Sequence, residues 1–236
     1  MNSLIYFDNC SSTQDEIIDF INTRHFTEGF LAVYTYNQTK GRGQYGNTWE
    51  IFPNENLAFS FAIKTKNISV SNILFNYYTA ILIRDFIANL TKTNVKIKWP
   101  NDLILKNKKI CGMLFEKKGD YLIAGIGINI LQENFKNLPK AGSIITQTGL
   151  EFDLKTFAES LHTYVFEKLI QNQLPENILE IYNVHLFKRN EVSVFQKDHS
   201  RQNGIIQYAD ESGNLWIELE KDGLKKFFHK EIELLY

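Results

Sequence analysis

One arginine sits inside a glycine run, Gly41-Arg42-Gly43-Gln44-Tyr45-Gly46. Glycines let a backbone come close to an anion and aim its N–H groups at it. A guanidinium fixed there offers the fork that carboxylate and phosphate oxygens accept. Three further strings carry reactive side chains. In Val95-Lys96-Ile97-Lys98-Trp99-Pro100-Asn101-Asp102, strand alternation puts Lys96 and Lys98 on one face and Val95, Ile97 and Trp99 on the other. Pro100 ends that strand and leaves Asn101 and Asp102 at its tip. In Lys108 to Glu116, alternation sets Lys109 with Cys111, Met113 and Phe115, opposite Ile110, Leu114 and Glu116. Gly112 within that strand marks the close approach of a backbone or a ligand. Gly125-Ile126-Gly127-Ile128-Asn129 is a buried strand against which something packs closely, and Asn129 there must find hydrogen bonds. Each string taken alone also fits a plainer reading: a surface loop, an edge strand with solvated lysines, a snorkelling lysine, a satisfied core asparagine.

Other chemistries lack their signatures. The glycine run is not a GxxxxGK[ST] phosphate loop, and the segment after Gly46 does not read as the helix a dinucleotide fingerprint needs. No GxSxG or HExxH string occurs, and the five histidines (25, 162, 185, 199, 229) have no metal-ligand spacing.

The elements that must position these residues are legible. Leu4 to Phe7 reads as a strand, and Thr13 to Glu16 as a capping box opening a helix that ends near Arg24. Phe30 to Tyr36 is a strand, Asn37 to Thr48 a long polar loop, and Leu57 to Lys64 a strand. Ser71 to Leu90 has the 3.6-residue apolar period of a buried helix. Val95–Trp99, Leu103–Leu105, Ile110–Glu116 and Tyr121–Ile130 follow as strands, with Asn107-Lys108 as a hairpin turn. Phe152 to Ile170 is an amphipathic helix, and Pro175 opens another reaching Val184. After about residue 185, short strands follow one another, separated by turns at Ser212-Gly213-Asn214 and Asp222-Gly223. The expectation is an α+β fold: residues 1–184 as a mixed-sheet catalytic domain with flanking helices, and residues 185–236 as a small SH3-like β-barrel.

The 236 residues suffice for a core without staples. A net charge of -1 argues against a dominant polyanion-binding role. Cys10 and Cys111 are too few for a disulfide framework, which fits a reducing cytoplasm. The N-terminus lacks a signal-peptide pattern, and the run from Tyr121 to Leu131 is too short to span a membrane. Only five of the 26 basic residues are arginine, which singles out Arg42. The Lys-rich stretch 221–230 reads as a solvated edge.

In order along the chain stand Ser12-Thr13-Gln14, Gln38-Thr-Lys-Gly41-Arg42-Gly43, Lys98-Trp-Pro-Asn-Asp102-Leu103, Lys109-x-x-Gly112-x-Leu114-x-Glu116 and Gly125-Ile-Gly127-Ile-Asn129. That series, with Gly142-Ser143 and the terminal β unit, resembles the biotin protein ligases over nearly the whole chain. The resemblance implies ATP-dependent formation of biotinyl-5′-AMP, then transfer of biotin to a lysine of a biotin carboxyl carrier protein. It implies Arg42 and Lys109 as charge-stabilising catalytic groups. Biotin would meet Ser12, Thr13, Gln14, Gln38, Gly41, Arg42, Gly43, Gln44, Lys109 and Gly112. The nucleotide would meet Arg42, Trp49, Lys98, Asn101 and Asn129. Asp102 would be a Mg²⁺ or water ligand, or a base for the incoming lysine. ATP and Mg²⁺ are the implied cofactors, with biotin as substrate; neither nucleic acid nor membrane is an expected partner. The Ser-Thr-Gln element begins at residue 12, which leaves no room for a preceding helix-turn-helix. A lipoate or octanoate ligase is the nearest alternative. Three positions depart from the usual pattern: Gln44 where arginine is common, Asn47 where arginine is frequent, and Gln14 where asparagine is common. Arg42 is then the loop's only guanidinium.

Overall fold

The computed structural model describes residues 3–23, 29–49, 52–136, 138–171 and 174–236. Arg24, His25 and residues 50 and 51 of the segment after the glycine run lie outside them.

Seven strands form the larger sheet: β1 (Ser3–Tyr6), β2 (Phe30–Thr35), β3 (Asn56–Lys64), β4 (Lys96–Lys98), β5 (Asp102–Leu105), β6 (Lys108–Lys118) and β7 (Tyr121–Asn129). Their spatial order is β1-β2-β3-β7-β6-β5-β4. β1 pairs with β2 in parallel and the other neighbours are antiparallel, so the sheet is mixed. β3 is buried along almost its whole length because both faces are covered. Leu57, Phe59, Phe61 and Ile63 turn into the main core, while Ala62 turns to the opposite side and packs with Ile17 of α1 (Thr13–Thr23). On the core side lies α2 (Asn72–Thr91), which is buried nearly all round. The Ser71 side chain accepts a hydrogen bond from the Leu74 N–H and so caps it.

After β7 come α3 (Ile144–Thr148), α4 (Leu154–Phe166) and α5 (Ile178–Val184). A π turn over Glu167–Gln171 extends α4. Then β8 (Val192–Lys197), β9 (Ser200–Ala209), β10 (Leu215–Leu219), β11 (Gly223–Phe227) and β12 (Glu233–Leu235) form an antiparallel sheet in the order β11-β10-β9-β8-β12. The α+β class and a separate antiparallel β unit are as expected. Among the described residues no β11–β12 pairing closes the five strands into a ring.

Several local readings are corrected. Thr13 is the first residue of α1 rather than its cap; its hydroxyl hydrogen-bonds to Ser60 Oγ at 2.7 Å instead of to its own helix. The hairpin turn between β5 and β6 sits one residue earlier, at Lys106-Asn107, both of which adopt positive φ. Pro175 precedes α5 without opening it. The short helix α3, opened by a capping box of Ser143 and Thr146, had no apolar period long enough to reveal it. The main correction concerns β6. The β5–β6 pairing shifts register between Leu103 and Ile104, so Leu103 faces Cys111 while Ile104 faces Lys109. The extra residue reverses the alternation. Lys109 therefore leaves the face of Cys111 and extends over Gly112, whose added Cβ would stand 3.2 Å from the Lys109 amine.

Candidate active site

The floor of the site is built from small residues on three adjacent strands. The register places Ala58 beside Gly127 and Ser60 beside Gly125 on β3 and β7. It places Gly112 beside Gly127 and Leu114 beside Gly125 on β6 and β7. A cleft of about 260 Å³ lies over this floor. Glycine is required where a Cβ would collide: at Gly125 it would stand 2.7 Å from the Gln14 amide carbon, and at Gly127 it would overlap the Trp49 indole.

One end of the cleft is neutral and rich in hydrogen-bonding groups. Ser12, Thr13 and Gln14 enter from the start of α1, and all three are buried. Gln38 Oε1 accepts from the Thr13 N–H at 2.9 Å and from its hydroxyl at 3.2 Å. Gln14 Nε2 donates to the Leu114 carbonyl at 3.2 Å. The side chains are thus locked by one another before any ligand arrives.

The other end is charged. Lys109 Nζ lies 2.7 Å from Asp102 Oδ1. The bulge and the 98–102 hairpin bring the two together. Lys98 joins them on the same wall, and its burial lowers the amine's pKa, partly offset by Asp102. Asn101 also lines the cleft, while its side-chain amide donates to the Met113 carbonyl and fastens the hairpin to β6.

The glycine run closes over the cleft from above. Gly43 N–H donates to Asn47 O at 2.7 Å and Trp49 N–H to Gly41 O at 2.9 Å, which folds the run into a tight loop. Arg42, Gly43 and Gln44 all line the cleft. Arg42 does not reach the Lys109 end. Its guanidinium is 2.8 Å from Asp15 and 3.4 Å from Glu116, two partners that the sequence reading did not assign to it. Trp49 rests on Gly127 and Gly112, with the Lys109 amine 5.5 Å from its ring centroid. The buried indole N–H has no hydrogen-bond partner among the described residues.

Two expected residues stand to the side. Gly41 shapes the loop without lining the cleft. Asn129 lies in a neighbouring apolar recess of about 470 Å³, walled also by Trp49, Lys109, Phe135, Leu138 and Tyr236. Its amide donates to the Gly142 carbonyl at 2.9 Å, which satisfies the core hydrogen bond demanded above.

Sequence reasoning missed several cleft residues, Ala58 of the floor among them. His229 and Lys230, between β11 and β12, reach the charged wall. Their stretch reads as a solvated edge in the sequence, and only the packing of the second sheet against the first shows otherwise. Burial, then the positive charge of Lys98, lower the His229 pKa and keep the ring neutral near pH 7.

The cleft thus combines a polar pocket, a glycine floor and a cation–carboxylate wall. The family model of the biotin/lipoate A/B protein ligases matches residues 6–132. This chain belongs to that family. Relatives include the bifunctional ligase/repressor BirA of Escherichia coli, 29% identical over 64% of this chain and 48% of that protein. The biotin–[acetyl-CoA-carboxylase] ligase of Mycobacterium tuberculosis is 23% identical over 80% of this chain and 73% of that protein. The chain thus spans about half the length of the first relative. Among solved structures, biotin protein ligase from Aquifex aeolicus in complex with biotin and ATP covers 100% of this chain and 99% of its own, with a TM-score of 0.80 and 24% identity. That likeness is one of fold.

Proposed function

We propose that this chain activates biotin as biotinyl-5′-AMP and transfers it to a lysine of a biotin carboxyl carrier protein, such as that of acetyl-CoA carboxylase. The observation that carries this reading is the two-ended cleft. The amide and hydroxyl groups of Ser12, Thr13, Gln14 and Gln38 match the donors and acceptors of a ureido ring. Lys109, Lys98 and Arg42 match the carboxylate and phosphates. The names of the relatives and the biotin- and ATP-bound fold neighbour support it.

In the first step a biotin carboxylate oxygen bonds to the α-phosphorus of ATP, the bond from that phosphorus to the bridging oxygen breaks, and pyrophosphate leaves. Lys109 is placed to stabilise charge on the α-phosphate, the role usually worth most in such reactions. Arg42 must exchange Asp15 and Glu116 for substrate oxygens. In the second step the carrier lysine's amine bonds to the acyl carbon, the carbon–oxygen bond to phosphate breaks, and AMP leaves. Asp102, ion-paired to Lys109, is placed to accept the proton the amine loses. Trp49 and Asn129 line the recess assigned to adenine.

Among the described residues no group of three His, Cys, Asp or Glu side chains could hold a metal. Mg²⁺ commonly binds through one or two carboxylates plus substrate phosphates. Asp102 would be its protein ligand, and the ion would arrive with the nucleotide to neutralise phosphate charge.

Residues 1–184 are taken as the catalytic unit and 185–236 as an appended β unit. No helix among the described residues is long and apolar enough to cross a membrane. Cys10 and Cys111 are free thiols, in keeping with a cytoplasmic enzyme.

The test is transfer of labelled biotin to a carrier domain with ATP and Mg²⁺. Labelling that requires ATP and the carrier's lysine is expected; none, with thermal stabilisation by lipoate and not biotin, would overturn the reading in favour of the family's other substrate class.

A further inference from the structure

A basic hollow lies away from the cleft and shares no lining residue with it. It is a groove of about 400 Å³ where β4, the β5–β6 turn and the strap of residues 188–190 meet. Lys96, Lys106, Lys188 and Arg189 line it against a single carboxylate, Glu191. Glu191 is engaged by Lys188, at 2.8 Å. Among the described residues Lys96, Lys106 and Arg189 are ion-paired to no carboxylate. A chain whose net charge is only -1 thus gathers these three cations, unmatched, in one place.

Solvated edge lysines would account for the charge alone, but the groove is built. Its guanidinium is held in place: Arg189 Nε donates to the Gln207 carbonyl at 2.7 Å, and Nη1 to the Asn183 carbonyl at 3.1 Å. Those two bonds fix the fork and leave Nη2 without a partner among the described residues. Lys96 is half-buried on β4, where a charge is less screened than on an open surface. Behind the cations the groove is apolar, since Ile104, Leu186 and Phe187 line it and are all buried. The walls belong to different parts of the molecule. Lys96 and Lys106 stand on the larger sheet and Arg189 on the strap that leads to the smaller one. The Phe187 N–H, bonded to the Ile97 carbonyl at 2.8 Å, joins strap and sheet at the groove's back.

We propose that this groove binds a small anion bearing two or more carboxylate or phosphate groups, with Lys96, Lys106 and Arg189 as its contacts. Both groups present paired oxygens to a guanidinium fork, and the lysines add point charges. The volume suits a metabolite-sized molecule. Such a ligand bridges the two walls and fastens the strap, and with it the smaller sheet, to β4. The proposal is independent of the ligase reading.

The test is calorimetric titration of citrate and of phosphoglycerate into the full chain, with the melting temperature followed alongside. A Kd below about 1 mM is expected for at least one probe, as two or three charge-assisted contacts supply. Lys96→Gln combined with Lys106→Gln should raise that Kd at least about ten-fold and abolish the rise in melting temperature that the probe gives. Without the probe the double variant should melt as the parent does. Lys109→Ala, which removes a cation from the cleft, should leave the Kd unchanged. Sodium chloride at matched ionic strength should give no such rise. Groove-dependent binding of citrate alone identifies a polycarboxylate, and of phosphoglycerate alone a phosphate ester; either upholds the proposal. No binding of either probe at millimolar concentration overturns it, as does a Kd that the double variant leaves unchanged. Binding lost in Lys109→Ala and kept in the double variant would place the anion in the cleft and overturn it too. Tighter binding of a glutamate-rich peptide than of both probes would overturn it in favour of an acidic protein segment.

Discussion

At the scale of single residues, Lys109 and Arg42 occupy unequal positions. Lys109 is held over Gly112 by the β6 bulge and its ion pair with Asp102, already at the charged end. Arg42 is about half exposed and drawn to Asp15 and Glu116 at the mouth. In the proposed reaction both would act on charge that develops at the same phosphate, Arg42 only after leaving Asp15 and Glu116. Lys109→Ala and Arg42→Ala should each lower biotinyl-adenylate synthesis at least about 100-fold, the scale of a lost key electrostatic donor. ATP–pyrophosphate exchange measures it; near-normal exchange in either variant removes that residue from the role. Gly127 tests the floor. A methyl there would overlap the Trp49 indole, which would have to leave the glycine surface. Gly127→Ala should raise KM for biotin at least about ten-fold by narrowing the cleft and red-shift the Trp49 emission. The spectral difference should disappear in a Trp49→Phe background; a Gly127→Ala variant with parental KM would mean the floor need not be bare.

At the scale of elements, α4 carries a buried histidine against the sheet. His162 is 6% exposed and lies between Phe30 and Phe166, with ring centroids 6.0 and 6.4 Å away. Its buried Nε2 has no partner among the described residues, and burial lowers its pKa from 6.5. The folded state thus binds a proton less readily than the unfolded chain. Between the unfolded and folded pKa values the unfolded chain holds the extra proton, so stability falls as pH drops through about 6.5 and levels off below the folded value. His162→Phe should stabilise by about 1–2 kcal/mol at pH 8, by removing an unpaired buried polar atom. The gain should grow at pH 5. His185 and His229 share the direction of shift, so part of the acid limb should remain. Urea unfolding at the two pH values measures this; an equal gain at both would refute the titration argument. The elements also show what a sequence discloses. β3, α2 and β7 were legible because burial on one or both faces imposes a period. The chemistry of residues 98–102 and 109–116 was legible because its side chains are contiguous in the chain. The bulge at Ile110 was not, since one inserted residue leaves no compositional mark, and it decides which face Lys109 joins. Ala58 and Ser60 were passed over for a related reason: a small residue announces a floor only when the register sets glycines beside it.

At the scale of the molecule, the site depends on how the second sheet is fastened to the first. The backbone of residues 185–187 continues the edge of the larger sheet. Ile97 N–H donates to His185 O at 2.8 Å, and Phe187 N–H donates to Ile97 O at 2.8 Å. Tyr182, stacked on Tyr77 with centroids 3.9 Å apart, donates from its hydroxyl to the Pro100 carbonyl at 2.7 Å, just before Asn101 and Asp102. Asn183 clasps the smaller sheet: its amide donates to the Ala209 carbonyl at 3.0 Å, and its Oδ1 accepts from the Ala209 N–H at 2.7 Å. This explains why His229 and Lys230 were illegible. Their place in the cleft follows from contacts made far upstream, at α5 and β9. Asn183→Ala would strip both partners from a buried backbone amide. It should cost about 2–3 kcal/mol, the penalty of orphaning a buried donor and acceptor. If the smaller sheet then shifts against the larger, the loss should extend to the site, with KM for ATP rising more than KM for biotin, because the end proposed for biotin is built by α1, Gln38 and strands β3, β6 and β7 of the larger sheet. Chemical denaturation and the two KM values together check it. Destabilisation with both KM values unchanged would show that the β unit keeps its seat without this clasp.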